Sequence, residues 1–271
     1  MTAPALLLAE RGIEVIGIDP AGASLEVARA KPGGDRVRRV HGDVTALPPP
    51  RVDPATMTAN VARAIIDPEA WRDTLRGAHT VLRSGGRPVS ETRDPVRRAW
   101  EEWNREESHR VTDVPGVGAV ESRGEATEVS GPLVAFRWTY VLGADGQVLT
   151  SDSTLRFRER REVEADLDGS GLTVEEVRDA PGRPGRELVF VVRRPRTGGE
   201  RSGDPTASGG RCHPAKVRTR SRTLSTLITV LTTTAATVVA QRLTRSPMIR
   251  LRAVKTSRGT SAKGTPKDST T

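Results

Sequence analysis

The sequence predicts an α/β fold: a doubly wound, mostly parallel sheet that carries an antiparallel β insertion and is followed by a disordered basic C-terminal tail. Three observations predict it. Between residues 5 and 92, β-branched runs alternate with segments of helical spacing, the mark of repeated strand and helix units around a parallel sheet. From Val134 to Leu142 the apolar side chains alternate at period two, and Asp145-Gly146 follows with hairpin-turn chemistry. After Pro195 the aromatic residues stop, and Gly, Ser, Thr, Pro and Arg take over.

Taken in order, ALLLAER (5–11) and Gly12 read as a helix with a glycine C-cap, and IEVIGI (13–18) as a buried strand. Asp19-Pro20 ends that strand. Ser24 is the expected cap of a short helix over 25–31, stopped by Pro32-Gly33-Gly34. RVRRVH (36–41) is the next strand, 42–50 a loop, and 53–59 a further strand. Asp67-Pro68 opens a longer helix with Trp71, Leu75, Ala78, Val81 and Leu82 on one face, and 87–92 returns as a strand after Ser84-Gly85-Gly86. A polar helix carrying Trp100 and Trp103 is expected over 96–107. The hairpin 134–142 and 148–158 follows, with 119–129 as a candidate third strand. A helix over 159–168 and strands at 172–177 and 187–193 close a body of 195 residues, enough for one domain with an insertion at about 96–158.

The chain has 271 residues, 43 Lys+Arg against 34 Asp+Glu and a formal charge of +9. The excess belongs to residues 196–271, which hold 15 basic and 3 acidic groups and read as a basic Thr/Arg-rich tail, largely disordered. The first 195 residues are mildly acidic and hold all eight aromatics, so the tail lacks the rings that would stack on bases, and nucleic acid is not an expected partner. Within the tail, 223–241 has no charge; its Leu and Ile fall at helical spacing while its Thr and Val content favours strand. Its many threonines argue against stable insertion into a membrane. The single cysteine, Cys212, excludes an internal disulfide and a multi-cysteine metal site, which fits a reducing cytoplasm. No metal site is expected.

The segment IEVIGIDPAGASLEVARAK (13–31), followed by RVRRVHGDVTALPP (36–49), resembles the class I S-adenosylmethionine-dependent methyltransferases, whose sheet is Rossmann-like. The resemblance extends through VDPATMTANVARAI (52–65) and LRSGGRPVSETRDP (82–95) to the closing helix and strand pair at 154–180 and 187–195. It implies S-adenosylmethionine as cofactor, with Asp19 on the ribose hydroxyls, Asp43 on the adenine amino group, the Val44 backbone N–H on a ring nitrogen, and Asn60 at the mouth of the fourth family strand. A carboxylate at a strand's carboxyl end suits this role in any nucleoside-binding sheet of the kind. The family opens with a central strand and a glycine-rich loop, and this chain begins at MTAPALLLAERG, inside the helix that follows them. The expected sheet therefore has its first strand missing, as in an N-terminally truncated member, and the tail is not expected to replace it.

The implied activity is methyl transfer to a small-molecule acceptor beneath the insertion. The residues leave the catalytic base open: Glu91, His41 and His109 are candidates, and none is singled out by spacing. Two other readings stand beside this one, a catalytically inactive truncated remnant and a tail-mediated binder of polyanions or membrane surfaces. The sequence does not specify the oligomeric state.

Overall fold

A computed structural model describes residues 3–47, 52–57, 61–114, 116–196, 226–230 and 251–254. Helix α1 (Ala3–Glu10) ends at Gly12, which has φ 78°. There Gly12 N–H donates to Ala9 O (3.0 Å) and Ile13 N–H to Leu8 O (3.1 Å). This is a Schellman turn, and the left-handed residue it needs is why glycine stands there. Strand β1 (Glu14–Asp19) is buried from Val15 onward, and α1 packs Ala5 against Val15 and against Val37 of the next strand.

Helix α2 (Gly22–Arg29) starts earlier than the sequence predicts, with Ala21 as its N-cap residue. Ser24 does not cap it but lies buried in its first turn. Strand β2 (Val37–His41) follows, then a 3-10 turn (Val44–Ala46), β3 (Val52–Met57), the short α3 (Val61–Ala64) and α4 (Pro68–Val81). Asp67 caps α4 by accepting the Ala70 amide at 2.7 Å, with Pro68 in the first turn, where its missing N–H costs nothing. Strand β4 (Leu82–Arg93) begins directly at the end of α4 and runs through Ser84-Gly85-Gly86, which the sequence analysis expects to be a break.

The polar helix expected over 96–107 is not continuous. Two 3-10 turns, Pro95–Arg97 and Ala99–Glu102, are separated by Arg98 at φ 43°, and only α5 (Arg105–Ser108) is α-helical. A left-handed residue cannot propagate a right-handed helix, and the aromatic contacts of Trp100 and Trp103 hold the chain in this path. Trp100 meets the Phe157 ring edge-on at 4.6 Å between centroids, and Trp103 meets Phe136 at 5.3 Å.

The insertion is larger than a hairpin: β5 (Arg110–Val114), β6 (Gly118–Ser130), β7 (Leu133–Leu142) and β8 (Val148–Arg156) form an antiparallel meander. Its own small core is Val120, Tyr140, Leu142 and Leu149. Helix α6 (Arg160–Gly169) ends in a second Schellman turn at Gly171 (φ 76°), and β9 (Thr173–Asp179) and β10 (Glu187–Arg193) return to the main sheet.

Two strands come from the tail, β11 (Thr226–Val230) and β12 (Leu251–Val254). Among the described residues the main sheet has seven strands in the order β2-β1-β11-β3-β4-β10-β9, all running in one direction except β10, so the doubly wound, mostly parallel sheet expected from the sequence is present. Its centre corrects the expectation of a vacant first strand. β11 lies between β1 and β3, parallel to both, with Ile228 opposite Ile16 and Ala55. β12 adds an edge to the insertion sheet beside β8.

Geometry permits the central strand to arrive from the C-terminal side. β10 runs antiparallel to β4, so Arg193 finishes at the amino edge of the parallel strands, the edge at which Thr226 begins opposite Glu14. Three strand spacings, about 14 Å, separate the two positions. Residues 194–225 have far more than that reach, at about 3.3 Å per residue extended.

The main core lies between this sheet and α4 and α6, and includes Ile16, Ile18, Met57, Trp71, Leu75, Val81, Leu82, Val163, Leu167, Phe190 and Val192. Trp71 is fully buried, and the Arg158 guanidinium stands 4.9 Å from its ring centroid. That same guanidinium donates to Ala62 O and Ile65 O, which fastens the backbone of α3 to the end of the insertion.

Candidate active site at the carboxyl edge of the sheet

From β1 the chain passes to β2 on one side of β11; from β3 it passes to β4 on the other. The reversal of direction opens a crevice at the carboxyl ends of the central strands, the place where open α/β sheets bind ligands. Asp19 is the last residue of β1, stands opposite His41 at the end of β2, and is 3 % exposed. Its Oδ1 accepts the Ala21 amide at 2.8 Å, which uses one of roughly four lone-pair positions of a carboxylate. Burial raises the Asp19 pKa above the ordinary carboxylate value, against the lowering effects of the Ala21 amide and of His41. His41 Nε2 lies 3.0 Å from Pro20 O and ties the loop after β1 to the end of β2.

Asp43 sits two residues beyond His41, so the two carboxylates leave the same edge of adjacent strands. Asp43 is exposed, and its Oδ1 accepts both the Thr45 amide (2.8 Å) and the Thr45 hydroxyl (2.5 Å), which shapes the turn that carries Val44. Val44 is buried against α4, where Gly77 makes room for it: a Cβ at Gly77 would lie 2.6 Å from Val44 Cγ1. This close approach positions the Asp43–Thr45 turn. A glycine inside an otherwise strong helical pattern was its only sequence signal.

The structure thus brings Asp19, Asp43 and Val44 to one edge. Asn60 lies outside the described residues. Of the candidate bases, His41 is engaged with the Pro20 carbonyl, and His109 lies on the insertion with Nε2 3.4 Å from Glu121 Oε1. Glu91 is on β4, opposite Val189 of β10. Among the described residues, no three His, Cys, Asp or Glu side chains gather as a metal site, and no helix is long and apolar enough to cross a membrane.

Two further residues, Arg63 and Arg93, carry no local sequence signal of a functional role. Arg63 lies on α3 just beyond the mouth of β3, and Arg93 is the last residue of β4. Together with Trp103, Phe136, Trp138 and Leu155 they line a cavity of about 200 Å³ between the sheet edge and the insertion. Gly124, opposite Trp138 in the insertion, leaves the space over which that indole lies, since a Cβ there would be 3.0 Å from the ring.

Residues 3–86 match the family model described as a methyltransferase domain. No curated protein matches the sequence. Among solved structures, the fold is similar to a S-adenosylmethionine-dependent methyltransferase from Clostridium acetobutylicum (TM-score 0.54, 12 % identity, covering 70 % of this chain and 88 % of that one). It is similar also to the CcbJ methyltransferase from Streptomyces caelestis (TM-score 0.54, 19 % identity, 70 % and 83 % covered). A third is the sugar N-methyltransferase KedS8 from a Streptoalloteichus species (TM-score 0.51, 16 % identity, 71 % and 85 % covered). Residues 3–86 thus match a methyltransferase domain, and the order and direction of the strands give a fold shared with solved S-adenosylmethionine-dependent methyltransferases.

Proposed function

We propose that this protein binds S-adenosylmethionine at the carboxyl edge of the sheet and transfers its methyl group to a small-molecule acceptor held beneath the insertion. The observation that carries this reading is Asp19: a carboxylate kept almost fully buried at the end of β1, beside the point where the sheet reverses direction. Burying a carboxylate costs stability unless a partner uses it, and two ribose hydroxyls supply charge-assisted hydrogen bonds of the right number and sign. The residues present therefore fit the nucleoside end of the cofactor.

In this reading Asp19 orients the ribose, Asp43 accepts from the adenine amino group, and the Val44 amide donates to a ring nitrogen. Asn60, three positions after the end of β3 in the sequence, is the further residue proposed to meet the cofactor. The cofactor supplies an electrophilic methyl on a sulfonium; the chain contributes position, aligning the acceptor atom in line with it and keeping water out with Trp103, Phe136 and Trp138. A small acceptor is favoured by the modest cavity and by the sugar N-methyltransferase among the proteins of similar fold. The single cysteine favours a cytoplasmic setting. Calorimetric titration of the full chain with S-adenosylhomocysteine tests the reading. One-site binding is expected, and the absence of binding heat at millimolar ligand overturns it.

A further inference from the structure

Arg63 is 2 % exposed, yet among the described residues neither Nε nor Nη1 has a hydrogen-bond partner. Its guanidinium stands 5.3 Å from the Phe157 ring centroid and faces the cavity under the insertion. Burial, reinforced by the neighbouring Arg93 charge, pulls its pKa down to about 10, so the group is still a cation at neutral pH. Arg93 is similarly placed: its Nε is buried without a hydrogen bond, and its guanidinium lies 5.9 Å from the Trp103 centroid. A buried arginine is ordinarily retained only when paired, because an uncompensated charge in a dry site is strongly destabilising.

The carboxylates nearby make their short contacts elsewhere, and only Glu187 reaches Arg93, as a long ion pair without a hydrogen bond. Glu187 Oε1 takes the Arg183 guanidinium at 2.6 Å and stands 3.8 Å from Arg93 Nε. Glu125, on the cavity wall, is held by two hydrogen bonds from Arg105, at 2.9 and 3.0 Å. Glu91 and Glu102 act on this pair only from a distance, and Arg183 and Arg186 add positive charge. The Ser108 hydroxyl on the same wall has its one proton shared between Asn104 O and Gly124 O, both within hydrogen-bond distance, and accepts the Gly124 amide. The cavity therefore joins Arg63, which has neither an ion pair nor a hydrogen bond at Nε or Nη1 among the described residues, and Arg93, held only by a long ion pair to Glu187, to the aromatic faces of Trp103, Phe136 and Trp138.

We propose that this cavity binds a small ring-bearing acceptor through an oxyanion group, a carboxylate or phosphate, clamped by Arg63 and Arg93, with the ring against the three aromatics. A guanidinium is the side chain suited to such a group, since its planar fork meets two oxygens at once. About 200 Å³ is below the 300–1,000 Å³ of drug-sized sites and suits a single ring with its substituents. The position fits an acceptor subsite. Met57 of β3 is in register with Ser90 of β4, so Arg93 projects past the carboxyl edge on which Asp19 lies. Arg158 anchors α3 through Ala62 O and Ile65 O and thereby holds Arg63 in place. The assignment as acceptor site rests on the methyltransferase reading; anion binding itself does not.

Calorimetry on the full chain with benzoate, phenyl phosphate and uncharged benzyl alcohol tests the proposal. Either anion is expected to bind at least tenfold more tightly than the alcohol, and whichever binds tells carboxylate from phosphate. Arg63→Met and Arg93→Gln are each expected to abolish the preference while leaving S-adenosylhomocysteine binding intact; should Arg63→Met not fold, Arg93→Gln decides. Wild-type protein that binds neither anion, or a preference that survives in the folded variants, overturns the proposal. Failure of anion binding with S-adenosylhomocysteine binding retained removes this inference alone, and loss of S-adenosylhomocysteine binding in the wild type removes the cofactor reading instead.

Discussion

Replacing Ile228 with proline in the full chain tests the central strand directly. Ile228 is the middle residue of β11 and stands opposite Ile16 and Ala55, which are 1 % and 3 % exposed. Proline removes the backbone donor, worth about 1 kcal/mol net, and leaves a carbonyl of the adjoining strand buried without its donor, worth about 1–3 kcal/mol more. Proline is also disfavoured within the interior of a sheet, and β11 is an inner strand. The expected loss is about 2–4 kcal/mol. For a domain of this size 1 kcal/mol shifts the melting temperature by roughly 2–4 °C, so I228P should melt roughly 5–15 °C below the wild type. Circular dichroism on heating measures the shift, and hydrogen exchange shows whether it arises at the strand: the amides of β1 and β3 should lose protection. An unchanged melting temperature with unchanged protection in β1 and β3 would mean that the tail does not complete the sheet.

Three further predictions concern the site and its supports. Asp19→Asn should weaken S-adenosylhomocysteine binding by about 10- to 150-fold, the equivalent of a lost hydrogen bond to a charged group, and should raise thermal stability at neutral pH. The sign follows from the raised pKa: the native carboxyl holds its proton to higher pH than the unfolded chain, so stability falls as pH rises from the unfolded value toward the native one, and the variant lacks that fall. Wild-type affinity in calorimetry, or an unaltered pH–stability curve, contradicts it. Arg158→Ala strips the donors from Ala62 O and Ile65 O and the cation from Trp71, and should cost about 3–5 kcal/mol in urea denaturation. A cost under about 1 kcal/mol refutes the anchoring role, and Arg158→Lys should not restore stability, because an ammonium lacks the fork that spans two carbonyls. Gly77→Ala should lower S-adenosylhomocysteine affinity several-fold by pushing Val44 and its turn, while Gly169→Ala, where an added Cβ meets nothing within 4 Å, should leave binding unchanged. Equal binding by the two variants counts against the role of Gly77.

Most of the elements were legible because their signals are local. The Gly12 turn, the Asp67-Pro68 helix start and the period-two alternation from Val134 to Leu142 are each specified by neighbouring residues, and each occurs where the sequence puts it. The local reading failed where distant contacts override it. Arg98 adopts a left-handed conformation between turns whose tryptophans pack on Phe157 and Phe136, which breaks the expected helix. Arg63 was hidden for a similar reason: in NVARAII it reads as one polar residue in an apolar run, and only the insertion folding over it shows that the charge faces a cavity.

By itself, the sequence determined the class of fold, the acidic body and basic tail, and the two carboxylates at strand ends, because periodicity, turn chemistry and charge are properties of short stretches of chain. Tertiary structure alone decided two further matters. One is that Thr226–Val230 enters the centre of the sheet, a pairing that backbone hydrogen bonds with β1 and β3 specify and that sequence order cannot reveal. The other is that Arg63 and Arg93, 30 positions apart, share one cavity, since their proximity follows from β3 and β4 lying side by side.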